Sequence, residues 1–265
     1  MLAKSERQNV PGHLSEDVPD HGILGTYFML YKILKLPAIQ LFVLILFTCK
    51  AGFAAADSVT GLKLLEAGVK KEHLAMLAVP LVPLQIILPM LLSKWTAGPR
   101  PLDIFLKAFP ARLVIGLSFT LVLYWTRWIK DPVDGTFPWY YYAGIVSVYA
   151  VHQITVFSIF VSLMGFHAKV SDPSIGGTYM TLLNTLTNLG GNWPATTALW
   201  AVEKLDIKSC TSAADSSEHQ TCSVIFDGYY VESIICFVIG CLWLMWGKSK
   251  VLRLQKLPPS SWLVK

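Results

Sequence analysis

Apolar residues in this chain fall into six long runs, and short polar segments separate them. A helix needs roughly 20 mostly apolar residues to cross a bilayer, and each run is at least about that long. The pattern therefore predicts an all-α membrane protein with six transmembrane helices, at about residues 36–59, 74–93, 104–126, 139–166, 176–202 and 229–247. Together they form a bundle over residues 36–247, between a tail with a short amphipathic approach helix at 1–35 and a basic tail at 248–265.

Composition supports a membrane protein. Hydrophobic residues make up 54% of the 265 residues and charged residues only 15%, whereas soluble domains carry about 25% charged residues. The net charge of +5 comes from positive residues scattered among the loops, without the basic stripe that nucleic-acid binding requires. We therefore expect membrane lipid and no nucleic acid as a partner.

The polar segments indicate an orientation. Lys and Arg are more numerous in the segments that share a side with both termini, so the positive-inside rule places the termini in the cytosol. The loop between the last two runs is then non-cytosolic, where disulfides persist. It contains Cys210 and Cys222, which we predict to be bridged; the alternative is two unrelated thiols.

Two ionisable residues lie in the first run. Lys50 and Asp57 are seven positions apart, which places them on one helix face about 10 Å apart. A charge at membrane depth costs about 2.5–3.5 kcal/mol and marks a pathway or a partner. Both side chains can line one cavity. Alternatively, Lys50 snorkels to the interface and Asp57 is solvated near the span end.

Three further polar residues lie within later runs. Arg112 follows Pro110 in the third run and is a candidate for binding a phosphate or the carbonyl that the proline frees. His152 and Gln153 lie in the middle of the fourth, where a histidine either titrates or is held by a structural hydrogen bond. All three are candidates for a transport path.

The fifth run is unusually polar. Asn184 and Asn188 are four residues apart, so they share a helix face, and Asn192 continues the row. Such amides serve either as interhelical hydrogen-bond partners or as the wall of a moving, hydrated cavity. A helix-packing motif surrounds them, in which the first glycine pair is expected to open the helix and the second to break or thin it: Asp172, Gly176, Gly177, Gly190 and Gly191.

Three stretches carry a family resemblance: SDPSIGGTYMTLLNTLTNLGGNWP, TCKAGFAAADSVTGLKLLEAGVKKEHLA and PLQIILPMLLSKWTAGPRPLD. They resemble helix eleven, helix seven and the loop between helices eight and nine of the acetyl-coenzyme A transporter family, in the major facilitator superfamily. The resemblance covers only the C-terminal half of that twelve-helix fold. It implies import of acetyl-CoA into the endoplasmic reticulum lumen by alternating access, with an N-terminal half or a second copy as partner.

Other functions stay open at this point. One is transport of another anionic thiol metabolite, such as oxidised glutathione; another is a non-transporting half that assembles with the full-length carrier. An enzyme using His152 is disfavoured, because no G-x-S-x-G or H-E-x-x-H motif occurs. We therefore expect no catalytic residues, no metal and no cofactor, with acetyl-CoA as the transported substrate.

Overall fold

The computed structural model describes residues 23–131, 134–211 and 221–264. Long helices dominate these ranges, with one two-stranded hairpin. The elements, in chain order, are α1 Ile23–Leu34, α2 Pro37–Cys49, α3 Ala54–Ser58, α4 Thr60–Glu66, α5 Lys71–Met76, α6 Val82–Thr96, α7 Leu102–Ile129, α8 Trp139–Val170, α9 Gly176–Leu205, β1 Ile207–Thr211, β2 Thr221–Phe226 and α10 Gly228–Leu254.

Five helical segments of the described chain are long and apolar enough to cross a membrane. They are Pro37–Glu66, Lys71–Thr96, Leu102–Ile129, Trp139–Val170 and Gly228–Leu254. The predicted fifth run coincides with α9, whose 30 residues give a length of about 45 Å. Its amides and threonines keep α9 below the apolarity of the other five. The chain is therefore an all-α membrane protein, and its six-helix bundle stays a prediction.

The first spanning segment, Pro37–Glu66, is not one continuous helix. α2 ends at Cys49, a 3₁₀ turn covers Ala51–Phe53, and α3 and α4 follow. Lys50 lies at the junction and caps α2 through its backbone N–H. Discontinuous membrane helices are tolerated only where the irregular backbone is buried in protein or lines a cavity. The break therefore indicates that protein or a cavity surrounds Lys50.

Two apolar clusters hold the helices together. The larger cluster joins α2, α7, α8 and α9 around fully buried phenylalanines, including Phe42, Phe105 and Phe109. The second, nearer the α10 N-terminus, is centred on Tyr141 and Tyr229. Their hydroxyls pair with Thr126 and Thr60 at 2.8 and 2.7 Å. The polar groups of these tyrosines are thus satisfied inside the apolar bundle.

Two glycine contacts allow helices to approach closely. A Cβ atom at Gly52 would lie 2.6 Å from the Gly240 Cα, where the 3₁₀ turn crosses α10. A Cβ at Gly190 would overlap the Leu46 carbonyl group and lie 3.1 Å from the Phe47 Cα. Of the two outcomes predicted for Gly190 and Gly191, a break in the fifth helix is wrong, because α9 is continuous there. Gly190 packs α9 directly against α2.

Substituting Gly190 by alanine should therefore destabilise the protein. The added methyl group would meet backbone atoms of α2, which have little freedom to move, so we expect a loss of about 1–3 kcal/mol. Gly177→Ala is the matched control, because nothing lies within 4 Å of a Cβ at that position. Thermal denaturation in detergent, followed by size-exclusion chromatography, should show a lower midpoint for Gly190→Ala only. Equal midpoints would contradict the close contact.

Candidate functional site

A cavity of about 300 Å³ lies beside the break in the first spanning segment. Residues of α3, α7, α8 and α9 and the junction residue Lys50 line it, so its wall brings together helices that are far apart in the sequence. The lining residues are Lys50, Ala54, Asp57, Ser58, Arg112, Val156, Ile159, Phe160, Leu163, Thr187, Gly191, Asn192 and Ala195. With two cations and one carboxylate, the lining carries one net positive charge.

Lys50 supplies the positive charge that has no acidic partner. Its Nζ donates to the Thr187 carbonyl oxygen at 2.9 Å and lies against Gly191. No carboxylate of the described residues comes within ion-pair distance of Nζ. The other two ammonium protons are therefore available to an anion that enters the cavity.

Asp57 joins the other two charged or titratable groups predicted in the spans. Its Oδ2 accepts from Arg112 Nη2 at 2.5 Å, and its Oδ1 lies 3.4 Å from His152 Nε2. The Arg112 guanidinium also stacks over Phe53, with Cζ 4.4 Å from the ring centroid. Arg112 and His152 are buried, whereas a third of the Asp57 side chain is exposed. The Asp57 carboxylate thus holds the Arg112 and His152 side chains in place, and it is the most exposed of the three groups.

Arg112 keeps unused hydrogen-bonding capacity. Its Nε is buried and has no partner in the described chain, as is also true of His152 Nδ1. Buried donors without partners are costly and usually mark strain, unplaced water or function. Arg112 lines the cavity, so a bound ligand or water can satisfy its Nε, whereas His152 is not among the lining residues.

The amide row of α9 lies on an exposed face. Asn184, Asn188 and Asn192 are all exposed, and no side-chain hydrogen bond ties their amides to another described residue. Their predicted role as interhelical hydrogen-bond partners therefore finds no contact among the residues that the structure describes. Asn192 borders the cavity, and the row leads away from it along α9.

The remaining predicted site residues lie elsewhere. Gln153 is partly exposed and is not among the residues that line the cavity. Asp172 lies in the turn between α8 and α9. Gly176 and Gly177 begin α9 and have no neighbours within 4 Å of an added Cβ, so they provide no packing contact in the described chain. Gly191 does line the cavity.

The sequence does not predict an ion cluster that forms around Lys63 of α4. Lys63 is 5% exposed, and its Nζ contacts Glu66 at 2.9 Å and Asp227 at 3.2 Å. Asp227 also accepts from Arg127 at 2.5 Å, which ties α4 and α7 to the α10 N-terminus. Lys63 reads as an ordinary loop lysine in the sequence. Glu66 is only three residues away, but Asp227 comes from a distant segment, so no local signal identifies the cluster.

The hairpin places the two loop cysteines opposite each other. In the antiparallel register, Cys210 pairs with Cys222. Directly opposed residues have Cα atoms about 4.5–5.5 Å apart, which lies within the range that a disulfide spans. The bridge itself stays a prediction.

Differential alkylation tests this bridge. In denatured, unreduced protein we expect alkylation of Cys49, Cys236 and Cys241 only, which are free thiols. Reduction before alkylation should add Cys210 and Cys222, as identified by peptide mass spectrometry. Modification of all five cysteines without reductant would contradict the bridge.

The fold and the cavity define a polytopic membrane protein with a positively charged site at a helix break. Comparison with known families matches residues 4–129 and 126–264 to the model described as acetyl-coenzyme A transporter 1. The chain therefore belongs to the acetyl-coenzyme A transporter 1 family, a family of membrane transporters. No solved structure matches it.

The curated relatives are similar over most of this chain. An uncharacterized membrane protein of Saccharomyces cerevisiae is 29% identical, over 89% of this chain and 49% of its own length. An uncharacterized protein of Schizosaccharomyces pombe is 36% identical, over 80% of this chain and 42% of its own length. The chain thus spans about half the length of these relatives.

Proposed function

We propose that this chain forms one wall of a route that carries acetyl-CoA across the endoplasmic reticulum membrane. The observation that carries the proposal is Lys50, a cation with no carboxylate partner among the described residues. It lines a cavity where a spanning helix is interrupted. Transporters commonly bind substrates at discontinuous helices near the middle of the bilayer. Membership of the acetyl-coenzyme A transporter 1 family supports acetyl-CoA as the transported substrate.

The chemistry of the cavity suits a phosphate group. Acetyl-CoA carries a pyrophosphate and a 3′-phosphate, each of which needs cations when it leaves water. Lys50 offers free ammonium protons, whereas Arg112 shares its charge with Asp57. We assign Lys50 as the first phosphate contact and Arg112 as a second, which becomes available when the substrate competes with Asp57.

The rest of the coenzyme requires more room than this cavity has. At about 300 Å³, the cavity is at the lower end of ligand pockets and holds one part of the molecule. The exposed amides Asn184, Asn188 and Asn192 extend from it along α9, where they can bind the pantetheine amides or the adenine edge. An N-terminal half or a second copy would then cover this face and complete the site.

The mechanism we propose is alternating access in a major-facilitator-type arrangement. In it, α9 also spans the membrane, as the fifth of six spanning helices in chain order. Both termini are cytosolic, and the break at Lys50 lets the first spanning segment bend. The Lys63 cluster lies near the predicted luminal end. There it holds α4, α7 and α10 together while the rest of the first segment moves.

Counterflow in proteoliposomes tests this function. Vesicles preloaded with unlabelled acetyl-CoA should accumulate labelled acetyl-CoA, and CoA and oxidised glutathione serve as competing cargoes. The chain is assayed alone and together with a full-length relative. Exchange of oxidised glutathione in preference to acetyl-CoA would show that acetyl-CoA is not the main substrate. Absence of exchange by the chain alone, with exchange when both are present, would favour a half that needs a partner.

A further inference from the structure

A second cavity, of about 510 Å³, lies at the predicted cytosolic edge of the bundle and shares no lining residue with the cavity at Lys50. The junction of α1 and α2 forms one side, and the turns that follow α10 form the other. Its lining residues are Leu36, Pro37, Ala38, Leu41, Arg253, Leu257, Ser260, Ser261 and Leu263. One wall is thus aliphatic, whereas Arg253 and two serine hydroxyls provide polar groups.

The chain segment that forms this cavity is firmly anchored. Trp262 is 3% exposed, packs edge-on against Phe166, and accepts a hydrogen bond from the Tyr179 hydroxyl at its carbonyl, at 2.9 Å. Gln255 donates to Asp103 at 2.7 Å and accepts from the Leu102 N–H at 3.0 Å. The residues between these two anchors are therefore held in place, and the cavity is preformed.

The electrostatics around the cavity favour an anion. Segments 23–50 and 241–264 contain no Asp or Glu. Besides Lys50, they carry six cations, of which Arg253 lines the cavity: Lys32, Lys35, Lys248, Lys250, Arg253 and Lys256. The nearby carboxylate of Asp103 is occupied by Gln255. The Arg253 side chain is exposed and forms no ion pair with the described residues.

Exposed aromatic residues place the cavity at the membrane surface. On α1, Tyr27, Phe28 and Tyr31 are 54–67% exposed, and Lys32 and Lys35 lie over two of these rings at 4.8 and 4.4 Å. Such aromatic and cationic residues lie at the headgroup level of a bilayer. The cavity therefore opens where both phosphates and acyl chains are present.

We infer that this cavity binds one anionic phospholipid. The Arg253 guanidinium and the Ser260 and Ser261 hydroxyls hold the lipid phosphate, and an acyl chain lies along Leu41 and Leu257. Only a lipid presents a phosphate and an alkyl chain together at this depth. The cytosolic leaflet is rich in anionic lipids, which matches the cationic surroundings.

Lipid binding to the purified full chain tests the inference independently of transport. Delipidated protein is titrated with phosphatidylserine or phosphatidylcholine in mixed micelles, and bound lipid is counted by native mass spectrometry. We expect tight binding of one phosphatidylserine and about tenfold weaker binding to Arg253→Gln, as loss of one charge-assisted hydrogen bond implies. Lys256→Gln is the matched control, because Lys256 is exposed but outside the lining.

Further measurements distinguish a lipid phosphate from a free phosphate ester and provide an alternative variant if the first one misfolds. Glycerophosphoserine, which lacks acyl chains, should not displace the lipid, and Leu41→Glu should weaken binding by blocking the acyl wall. If Arg253→Gln misfolds, Ser260→Ala/Ser261→Ala replaces it, with weaker phosphatidylserine binding again expected. Equal binding of phosphatidylserine and phosphatidylcholine, unchanged binding in these variants, or full displacement by glycerophosphoserine would each overturn the inference.

Discussion

Replacing Lys50 by glutamine is expected to weaken acetyl-CoA binding by about 10- to 100-fold. A hydrogen bond to a charged group contributes about 1.5–3 kcal/mol, and each 1.4 kcal/mol is a factor of ten in affinity. Lys50 is the one lining cation without a carboxylate partner in the described chain, so no other side chain replaces it. Binding is measured by scintillation proximity with labelled acetyl-CoA, and uptake by proteoliposome assay.

Two variants separate charge from side-chain volume. Lys50→Arg keeps the charge and should retain most of the affinity, whereas Lys50→Met keeps the length without charge and should behave like Lys50→Gln. Lys70→Gln removes an exposed lysine outside the cavity and should bind like the unmodified protein. If Lys50→Gln binds acetyl-CoA normally, Lys50 does not contact the substrate.

Removing Arg112 alone should destabilise the protein more than removing Arg112 and Asp57 together. Arg112→Gln leaves the Asp57 carboxylate with only His152, 3.4 Å away, in a largely apolar bundle. Breaking a buried ion pair on one side costs about 3–5 kcal/mol. Because a third of the Asp57 side chain is exposed, we expect a value near the lower end.

A double-mutant cycle measures this coupling. Thermal midpoints in detergent are compared for Arg112→Gln, Asp57→Asn and the double variant, with Lys107→Gln on an exposed face of α7 as the control. The double variant should recover part of the stability lost in Arg112→Gln. It should not recover uptake, because the second phosphate contact is still absent. Additive losses of stability would show that the two side chains are not coupled.

Part of the site follows from the sequence because charge within an apolar run is a strong signal. That signal predicts Lys50, Asp57 and Arg112 as site residues, and the structure brings all three to one cavity. The seven-residue spacing predicted a shared helix face, but the helix is interrupted between Lys50 and Asp57. At the interruption, Gly52 packs closely against Gly240 of α10. The two glycines are far apart in the sequence, so no local pattern predicts this contact.

Other features depend on tertiary contacts that no local pattern contains. Lys63 follows a span and precedes other charges, so it resembles a solvated loop residue. In the structure, Asp206 and Asp227 from distant segments approach it in addition to the neighbouring Glu66. The β1–β2 hairpin is likewise absent from the prediction, because its strands are only five and six residues long. Periodicity identifies long helices far better than such short pairings.

The central claim is that the amide face of α9 borders a hydrated substrate route, and cysteine accessibility tests it most directly. Asn188→Cys and Leu189→Cys occupy adjacent exposed positions of α9, about 100° apart around the helix. Each is introduced after the native cysteines are replaced and the uptake or binding activity is checked. We predict that a membrane-impermeant thiol reagent modifies Asn188→Cys, that acetyl-CoA slows this reaction, and that Leu189→Cys reacts far more slowly. Equal protection of both cysteines from the reagent, with or without acetyl-CoA, would contradict the account.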